Sequence, residues 1–179
     1  MSQLKSEPLR FRGVAALLGS VAAVLGALGL LGWLTGFRFF ASILPAYVPM
    51  APDTAVLFGA LGLMLALKVS RPKLERNKLF LLLIATSSVY GLLKCVEYFA
   101  KIDLMFEAGL LPITERMGSF PPGRMSPVTG ALFFLTASAL LIELNHPRRS
   151  LLNWMAGAGL GVALVGFVAT TGYLFGTPL

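Results

Sequence analysis

The chain has 179 residues, of which 56% are hydrophobic and 13% are charged, with a net charge of +7. Soluble domains average roughly 45–50% apolar and about 25% charged residues, so this composition indicates a membrane protein. The single cysteine, Cys95, excludes an internal disulfide, and the single histidine, His146, excludes a site that needs two histidines. The net positive charge would fit a nucleic-acid-binding protein, but the positions of the basic residues argue against nucleic acid as a partner.

Five apolar runs, two of them short, are candidates for helices that cross a hydrocarbon core about 30 Å thick. Lipid cannot satisfy unpaired backbone groups, and the runs lack the alternation of barrel strands, so helices are predicted. The predicted spans are 13–34, 54–67, 79–99, 127–142 and 151–175, with Pro52 and Asp53 in the first turn of the second. We therefore predict an all-α, polytopic membrane helix bundle that forms one transmembrane domain, residues 1–179.

Basic residues are concentrated on one side of this bundle. Ten of the fifteen lie before span one, between spans two and three, or between spans four and five, whereas four lie in the opposite links and Lys94 lies within a span. By the positive-inside rule, the amino terminus is cytoplasmic and Leu179 is external. The whole charge excess then lies on the cytoplasmic face, so the lipid bilayer, and not nucleic acid, is the expected partner.

The two external links are rich in aromatic and aliphatic residues. These residues are Phe37, Phe39, Phe40, Ile43, Leu44 and Tyr47 in the first link, and Ile102, Leu104, Met105, Phe106, Leu110 and Leu111 in the second. Such segments either anchor a protein at the lipid headgroups or form a shallow apolar pocket for a lipophilic ligand.

A motif of the form Met-x-Pro-x-Thr occurs twice in the chain. Met50 to Thr54 matches Met125 to Thr129, and seven of 23 positions are identical when 50–72 is aligned with 125–147. Trp33, Tyr98 and Tyr173 occupy corresponding places in the helices that precede each motif or end the chain. The pattern predicts tandem parallel hairpins. The predicted repeat units are 13–72, 79–147 and an incomplete third unit, 151–179.

The residue preferences at the start of a helix explain much of the Met-x-Pro-x-Thr motif. Proline is favoured in the first turn of a helix, and Ser126 is a good N-cap residue whereas Ala51 is a poor one. The candidate sensing or packing residues of the motif are Met50, Thr54, Met125 and Thr129. They either serve the helix start alone or also contact a ligand.

The segment 122–129, followed by an apolar helix, resembles a signature of membrane-integral N-terminal sensor regions in bacterial signalling proteins with PAS, histidine-kinase or GGDEF modules. Residues 48–55 match the earlier copy of that pattern, and 98–111 resembles the link between the copies. The resemblance implies a sensor domain for signal transduction, as in two-component systems, in the bacterial cytoplasmic (inner) membrane. In the family a third such helix returns the chain to the cytoplasm, so we expect either a fragment of a sensor or a stand-alone protein with a truncated third repeat.

Two further groups of residues are candidate sites. Lys94 and Glu97 lie three residues apart within span three, where they form either a neutralised pair or a sensing site. Small residues allow close approach of helices, and the candidate helix-packing glycines are Gly26, Gly29, Gly157 and Gly161. Their expected use is packing within the chain or formation of a homodimer.

The sequence favours the sensory input domain of a bacterial receptor that signals by helix repacking. The alternative is a non-catalytic integral-membrane accessory subunit of a larger membrane complex. No nucleotide-binding glycine loop, Ser/His/Asp grouping or carboxylate pair at catalytic spacing is found. We therefore expect no enzyme activity, catalytic residue, cofactor or metal. A homodimer, a larger complex and a lipophilic ligand remain candidate partners.

Overall fold

The computed structural model describes residues 7–42, 49–71, 73, 77–102, 124–145 and 149–174. Within these ranges the chain forms helices and no strand, which confirms the predicted all-α fold. The helices are α1 (Glu7–Thr35), α2 (Arg38–Ala41), α3 (Pro52–Ser70), α4 (Lys78–Ala100), α5 (Pro127–Asn145) and α6 (Arg149–Leu174).

Five of these helices are long and apolar enough to cross a membrane, as judged by their length and composition. The spans are Arg12–Thr35, Pro52–Ser70, Lys78–Ala100, Pro127–Asn145 and Asn153–Gly172. Each overlaps a predicted span, and Phe175, at the end of the fifth prediction, lies outside the described residues. Large apolar side chains such as Leu17 and Phe167 are 64% and 69% exposed, as expected for a multi-pass protein whose helices face lipid.

The two spans that were predicted to be short are parts of longer helices. Each belongs to a helix of 19 residues, which is about 28 Å long at 1.5 Å per residue and close to the hydrocarbon thickness. The second span begins at Pro52, as predicted, with Asp53 in its first turn. Both helices also continue past the predicted ends into residues that are more polar, which a search for apolar runs leaves out.

The chain divides into two compact units. The first comprises Met1–Leu83 and Asp103–Met125, and the second comprises Ile84–Ile102 and Ser126–Leu179. These bounds differ from those of the predicted repeat units, and both the single domain and its repeats stay predictions.

In the first unit, α1 and α3 form an antiparallel pair in close backbone contact. A Cβ atom added to Gly19 would lie 2.8 Å from the carbonyl oxygen of Gly62 and 2.9 Å from the nitrogen of Ala66. A Cβ atom on Gly26 would overlap the backbone of Ala55 and Gly59. Only glycine therefore fits at these two positions of α1 without a shift of one helix, which is the usual role of small residues at membrane helix interfaces.

Two hydrogen bonds hold the backbone of Met50, which lies just before α3. The Met50 N–H donates to the carbonyl oxygen of Ala41 at 2.8 Å, and the indole Nε1 of Trp33 donates to the carbonyl oxygen of Met50 at 2.7 Å. Gly36 follows α1 with a φ of 75°, a left-handed conformation that glycine adopts readily at the end of a helix. Met50, just before α3, is thus held to the ends of α1 and α2.

In the second unit, α4 and α5 also run antiparallel. A Cβ atom on Gly91 would lie 2.6 Å from the carbonyl oxygen of Gly130 and 2.7 Å from the nitrogen of Phe134. One or two helical turns away, the hydroxyl oxygens of Ser88 and Ser138 are 2.8 Å apart, within hydrogen-bond distance. Hydrogen bonds between helices are a second source of stability where lipid removes the hydrophobic drive for association.

Part of the predicted external links is described. Phe37, Phe39 and Phe40 are 67%, 71% and 45% exposed, and the rings of Phe37 and Phe39 each make an edge contact with the ring of Phe40. Ile102 is 55% exposed. The remaining residues of the two apolar links lie outside the described residues.

Candidate functional site

Two successive turns of α4 bring an acid, a base and an aromatic ring together. The Lys94 Nζ lies 2.9 Å from Glu97 Oε2, and it lies 5.5 Å from the centre of the Tyr90 ring. The side chain of Lys94 is 3% exposed and that of Glu97 is 12% exposed. The predicted pairing of Lys94 with Glu97 is confirmed, and a helix places i and i+3 residues on one face for this contact.

The first turns of α5 lie against this part of α4. A Cβ atom on Gly130 would lie 2.9 Å from the Cβ of Lys94, so the glycine leaves room for the lysine stem. The thiol of Cys95 donates to the carbonyl oxygen of Pro127 at 3.4 Å. A residue of the Met-x-Pro-x-Thr motif therefore contacts the helix that carries the ion pair. We call the group Tyr90, Lys94, Cys95, Glu97, Pro127 and Gly130 the α4–α5 seam.

The start of α5 is capped by Ser126, the serine that precedes its proline. The Thr129 N–H donates to Ser126 Oγ at 3.1 Å, and the Thr129 Oγ1 lies 2.8 Å from the same atom. This is the N-cap arrangement predicted for Ser126. Thr129 therefore contributes to the helix start, and its side chain is half-buried.

At the start of α3, a carboxylate and not a serine hydroxyl accepts a hydrogen bond from a free backbone N–H group. Ala51 makes no side-chain cap, as predicted, and instead the Thr54 N–H donates to Asp53 Oδ1 at 2.8 Å. Asp53 is only 2% exposed. The sequence predicted its place in the first turn of the helix but not its burial. A carboxylate in the first turn of a helix, directly after proline, can accept hydrogen bonds from the free backbone N–H groups there. This sequence pattern therefore indicates that Asp53 stabilises the start of α3.

The two methionines of the motif have different surroundings. Met50 is half-buried, and its sulfur lies 3.2 Å from the position that a Cβ atom on Gly29 would occupy. Met125 is buried, with 7% of its surface exposed. Met50 thus packs against a predicted packing glycine.

The four predicted packing glycines fall into two classes. The first class, Gly26 and Gly29, lies against α3. The contact of Gly26 is described above, and a Cβ atom on Gly29 would lie 3.1 Å from the Cβ of Ala55. A Cβ atom on Gly157 or Gly161 would have no described atom within 4 Å. The close approach of helices is therefore present at the α1 glycines and is not seen at those of α6.

Several contacts of the seam were not predicted. The Tyr90 ring beside Lys94 and the approach of Gly91 to Gly130 both lie at helical spacing from the ion pair, but spacing does not reveal which residue of another helix is adjacent. Ser87 and Ser88, which are buried, are the sequence signal that could have indicated this face of α4, because polar residues inside a span usually face another helix.

Among the described residues, no group of three or more His, Cys, Asp and Glu side chains is arranged to hold a metal ion. The chemistry available at the seam is that of one ammonium, one carboxylate, one phenol and one thiol. Comparisons with protein-family models, curated proteins and solved structures found no match to this chain.

Proposed function

We propose that this protein is the membrane-embedded sensory domain of a bacterial signal-transduction receptor, and that it signals by repacking its helices. The observation that carries the proposal is the ion pair at the α4–α5 seam, in which Lys94 Nζ lies 2.9 Å from Glu97 Oε2 inside a span. Ionisable residues within membrane spans are rare and commonly functional. The resemblance of both Met-x-Pro-x-Thr segments to bacterial sensor regions supports the same function.

The proposal includes a repeated hairpin architecture. Gly26 of α1 lies against residues 55 and 59 of α3, and Gly91 of α4 lies against residues 130 and 134 of α5. The alignment that pairs Trp33 with Tyr98 also pairs these two glycines. The alignment that pairs Met50 with Met125 likewise pairs the residues that they contact on the second helix. Two hairpins that cross at corresponding residues support a common origin as parallel repeats.

The repeat also distinguishes the second hairpin from the first. In the alignment of Trp33 with Tyr98, Lys94 stands where the first hairpin has Gly29. Lys94 and Gly29 both lie beside the start of the following helix, at Gly130 and at Ala55. A charged residue has thus taken the place of a packing glycine, which is the change expected if one hairpin was adapted to respond to a signal.

The proposed mechanism is a change in the seam on ligand binding. The proposed ligand is lipophilic, with a polar group that competes with Glu97 for Lys94 or with Lys94 for Glu97. The Lys94 stem lies against Gly130, where only a glycine fits. We therefore expect that a new partner for either charge shifts α4 relative to the start of α5. A ligand shifts such an equilibrium only by its difference in affinity for the two arrangements.

We further propose the bacterial cytoplasmic membrane as the location, with the amino terminus inside and residue 179 outside. Ten of fifteen basic residues then lie on the cytoplasmic side, as the positive-inside rule requires. The α4–α5 seam in this orientation lies toward the external end of α4. A ligand would reach it from the outer leaflet.

The accessibility of Cys95 tests the proposed mechanism. Cys95 is the only cysteine in the chain, and its thiol contacts the Pro127 carbonyl oxygen. The measurement is the rate at which N-ethylmaleimide alkylates Cys95 in lipid nanodiscs, with and without decanoate or decylamine as amphiphilic probes. We expect one probe to raise the rate by a factor of about 5 or more, the lower end of typical coupling between sites.

Two variants make this test specific. In the Lys94→Met/Glu97→Gln double variant, the probe response should disappear because no charge remains for it to bind. A Cys95→Ala/Leu79→Cys variant places the thiol at a position that is 61% exposed and about three helical turns before Tyr90, and its rate should not respond. The proposal is wrong if neither probe changes the Cys95 rate, or if the double variant responds as the unmodified protein does.

A second candidate function, an accessory subunit of a larger membrane complex, is favoured by α6. None of the residues in its most apolar window is buried, so this helix offers much surface to another protein. The coding sequence beyond codon 179 separates the two functions. A further helix followed by a kinase or cyclase module supports the receptor, and a stop codon supports the subunit.

A further inference from the structure

One face of α6 carries glycines that no described residue covers. Gly159 and Gly166 are two helical turns apart and therefore lie on one face of the helix. A Cβ atom on either would have no described atom within 4 Å. A small-residue face by itself does not indicate a partner, but the position of Gly166 is occupied in two other helices by a glycine that packs against a partner helix.

Gly159 and Gly166 correspond in register to glycines that pack in the hairpins already described. When Trp33, Tyr98 and Tyr173 are aligned, Gly166 falls in the same column as Gly26 and Gly91. Gly26 and Gly91 each lie against the backbone of the antiparallel helix that follows. In the same alignment Gly159 corresponds to Gly19, which meets the backbone of α3.

We propose that the Gly159–Gly166 face of α6 docks a partner transmembrane helix that runs antiparallel to it and resembles α3 and α5. The partner would have a small residue five positions after the methionine that precedes its first turn, where α3 has Ala55 and α5 has Gly130. Such a residue allows the two backbones to approach as they do at Gly26 and at Gly91. The inference rests on the repeated architecture under the proposed function and not on its sensory role.

A second copy of this chain does not meet these requirements. Copies inserted in the same orientation place their α6 helices parallel, and the small-residue faces of α3 and α5 in each copy are already covered by α1 and α4. The Gly157-x-x-x-Gly161 pattern, which suits a parallel dimer, lies on the other side of α6. At about 100° per residue, Gly161 lies about 160° from Gly159 around the helix axis. The two faces can therefore be tested separately.

The test uses a peptide with the sequence of residues 125–145 as the probe helix. This segment contains no tryptophan, and the chain contains only Trp33 and Trp154. In a Trp33→Phe background, Trp154 near the start of α6 is the energy donor, and a dansyl group on the peptide is the acceptor. Antiparallel docking brings the carboxyl end of the peptide close to Trp154, so transfer should be stronger with dansyl at that end than at the amino end.

Matched variants identify the face. We expect Gly166→Leu to weaken saturable binding by about tenfold or more, the fold-change that a steric cost of about 1.4 kcal/mol produces. A Gly130→Leu peptide should bind as weakly, whereas Gly157→Leu should leave binding unchanged. Circular dichroism of each variant checks that the helices are retained.

Four results would overturn the proposal. The first is that energy transfer does not saturate, and the second is that Gly166→Leu leaves binding unchanged. The third is stronger transfer to dansyl at the amino end of the peptide than at its carboxyl end, and the fourth is a loss of binding in Gly157→Leu. The last two together would indicate a parallel helix on the opposite face. The sensory role is measured independently by the Cys95 alkylation rate, so either proposal can fail without the other.

Discussion

At the scale of residues, the ion pair in α4 shows how a charge is held inside a membrane span. Lys94 is 4% exposed, and its ammonium has a carboxylate at 2.9 Å and an aromatic ring face at 5.5 Å. Removal of one member of a buried pair leaves the other charge uncompensated, which costs more than removal of both. The pair is therefore expected to behave as one unit in mutagenesis.

This expectation can be tested by a double-mutant cycle. We expect Lys94→Met and Glu97→Gln each to destabilise the protein. The double variant should lose about 0.5–3 kcal/mol less stability than the sum of the two single losses, the coupling typical of contacting residues. The measurement is reversible unfolding in mixed micelles, followed by circular dichroism. Lys78→Met is the control, because Lys78 is exposed at the first residue of α4. Additive effects of the two substitutions would contradict the prediction.

At the scale of elements, the helix pairs depend on single glycines at their crossings. Gly91 allows α4 to approach the backbone of α5 at Gly130 and Phe134, and Gly26 allows α1 to approach α3. The clashing atoms are backbone atoms, which cannot rotate away as a flexible side chain can. Close packing of this kind responds to the addition of even one methyl group.

We therefore predict that Gly91→Ala destabilises the protein by roughly 1–3 kcal/mol, the usual cost of overpacking. Gly26→Ala should act in the same direction, because its Cβ would overlap the backbone of Ala55 and Gly59. Gly157→Ala is the matched control, since no described atom lies within 4 Å of its added Cβ. Thermal unfolding in nanodiscs provides the comparison, and equal midpoints for the Gly91 and Gly157 variants would show that the crossing is not tight.

At the scale of the whole molecule, charge distribution predicts orientation. The first, third and fifth hydrophilic segments carry ten basic residues, and the intervening links carry four. An excess of Lys and Arg on one side retains that side in the cytoplasm during insertion. The formal charge of +7 is thus better explained by topology than by a polyanionic partner.

Cysteine labelling in a Cys95→Ala background tests this orientation. We expect Phe37→Cys, at a position that is 67% exposed, to react with a membrane-impermeant maleimide on intact spheroplasts. Asn77→Cys, at an exposed position before α4, should react only after the membrane is opened. The two sites are on opposite sides of the membrane in the predicted topology, so the reverse pattern would show that the protein is inserted the other way round.

The sequence by itself determined the features that depend on local chemistry. Five apolar runs must be helical because every backbone group has to be paired in lipid, and the described part of the chain contains five helices of sufficient length and apolarity. Lys94 and Glu97 meet because one helical turn separates them, and Ser126 caps α5 because its hydroxyl lies three residues before the Thr129 N–H. Each of these contacts joins residues that are near one another in the chain.

Only the tertiary structure decided which residues of different helices are adjacent. It buried Asp53, placed Gly91 against Gly130, and left Gly157 and Gly161 without a described neighbour, although all four glycines look alike in sequence. The physical reason is that a small residue permits close approach but does not select the surface that approaches. That choice depends on the fit between two complete helix faces, which forms only when the helices pack.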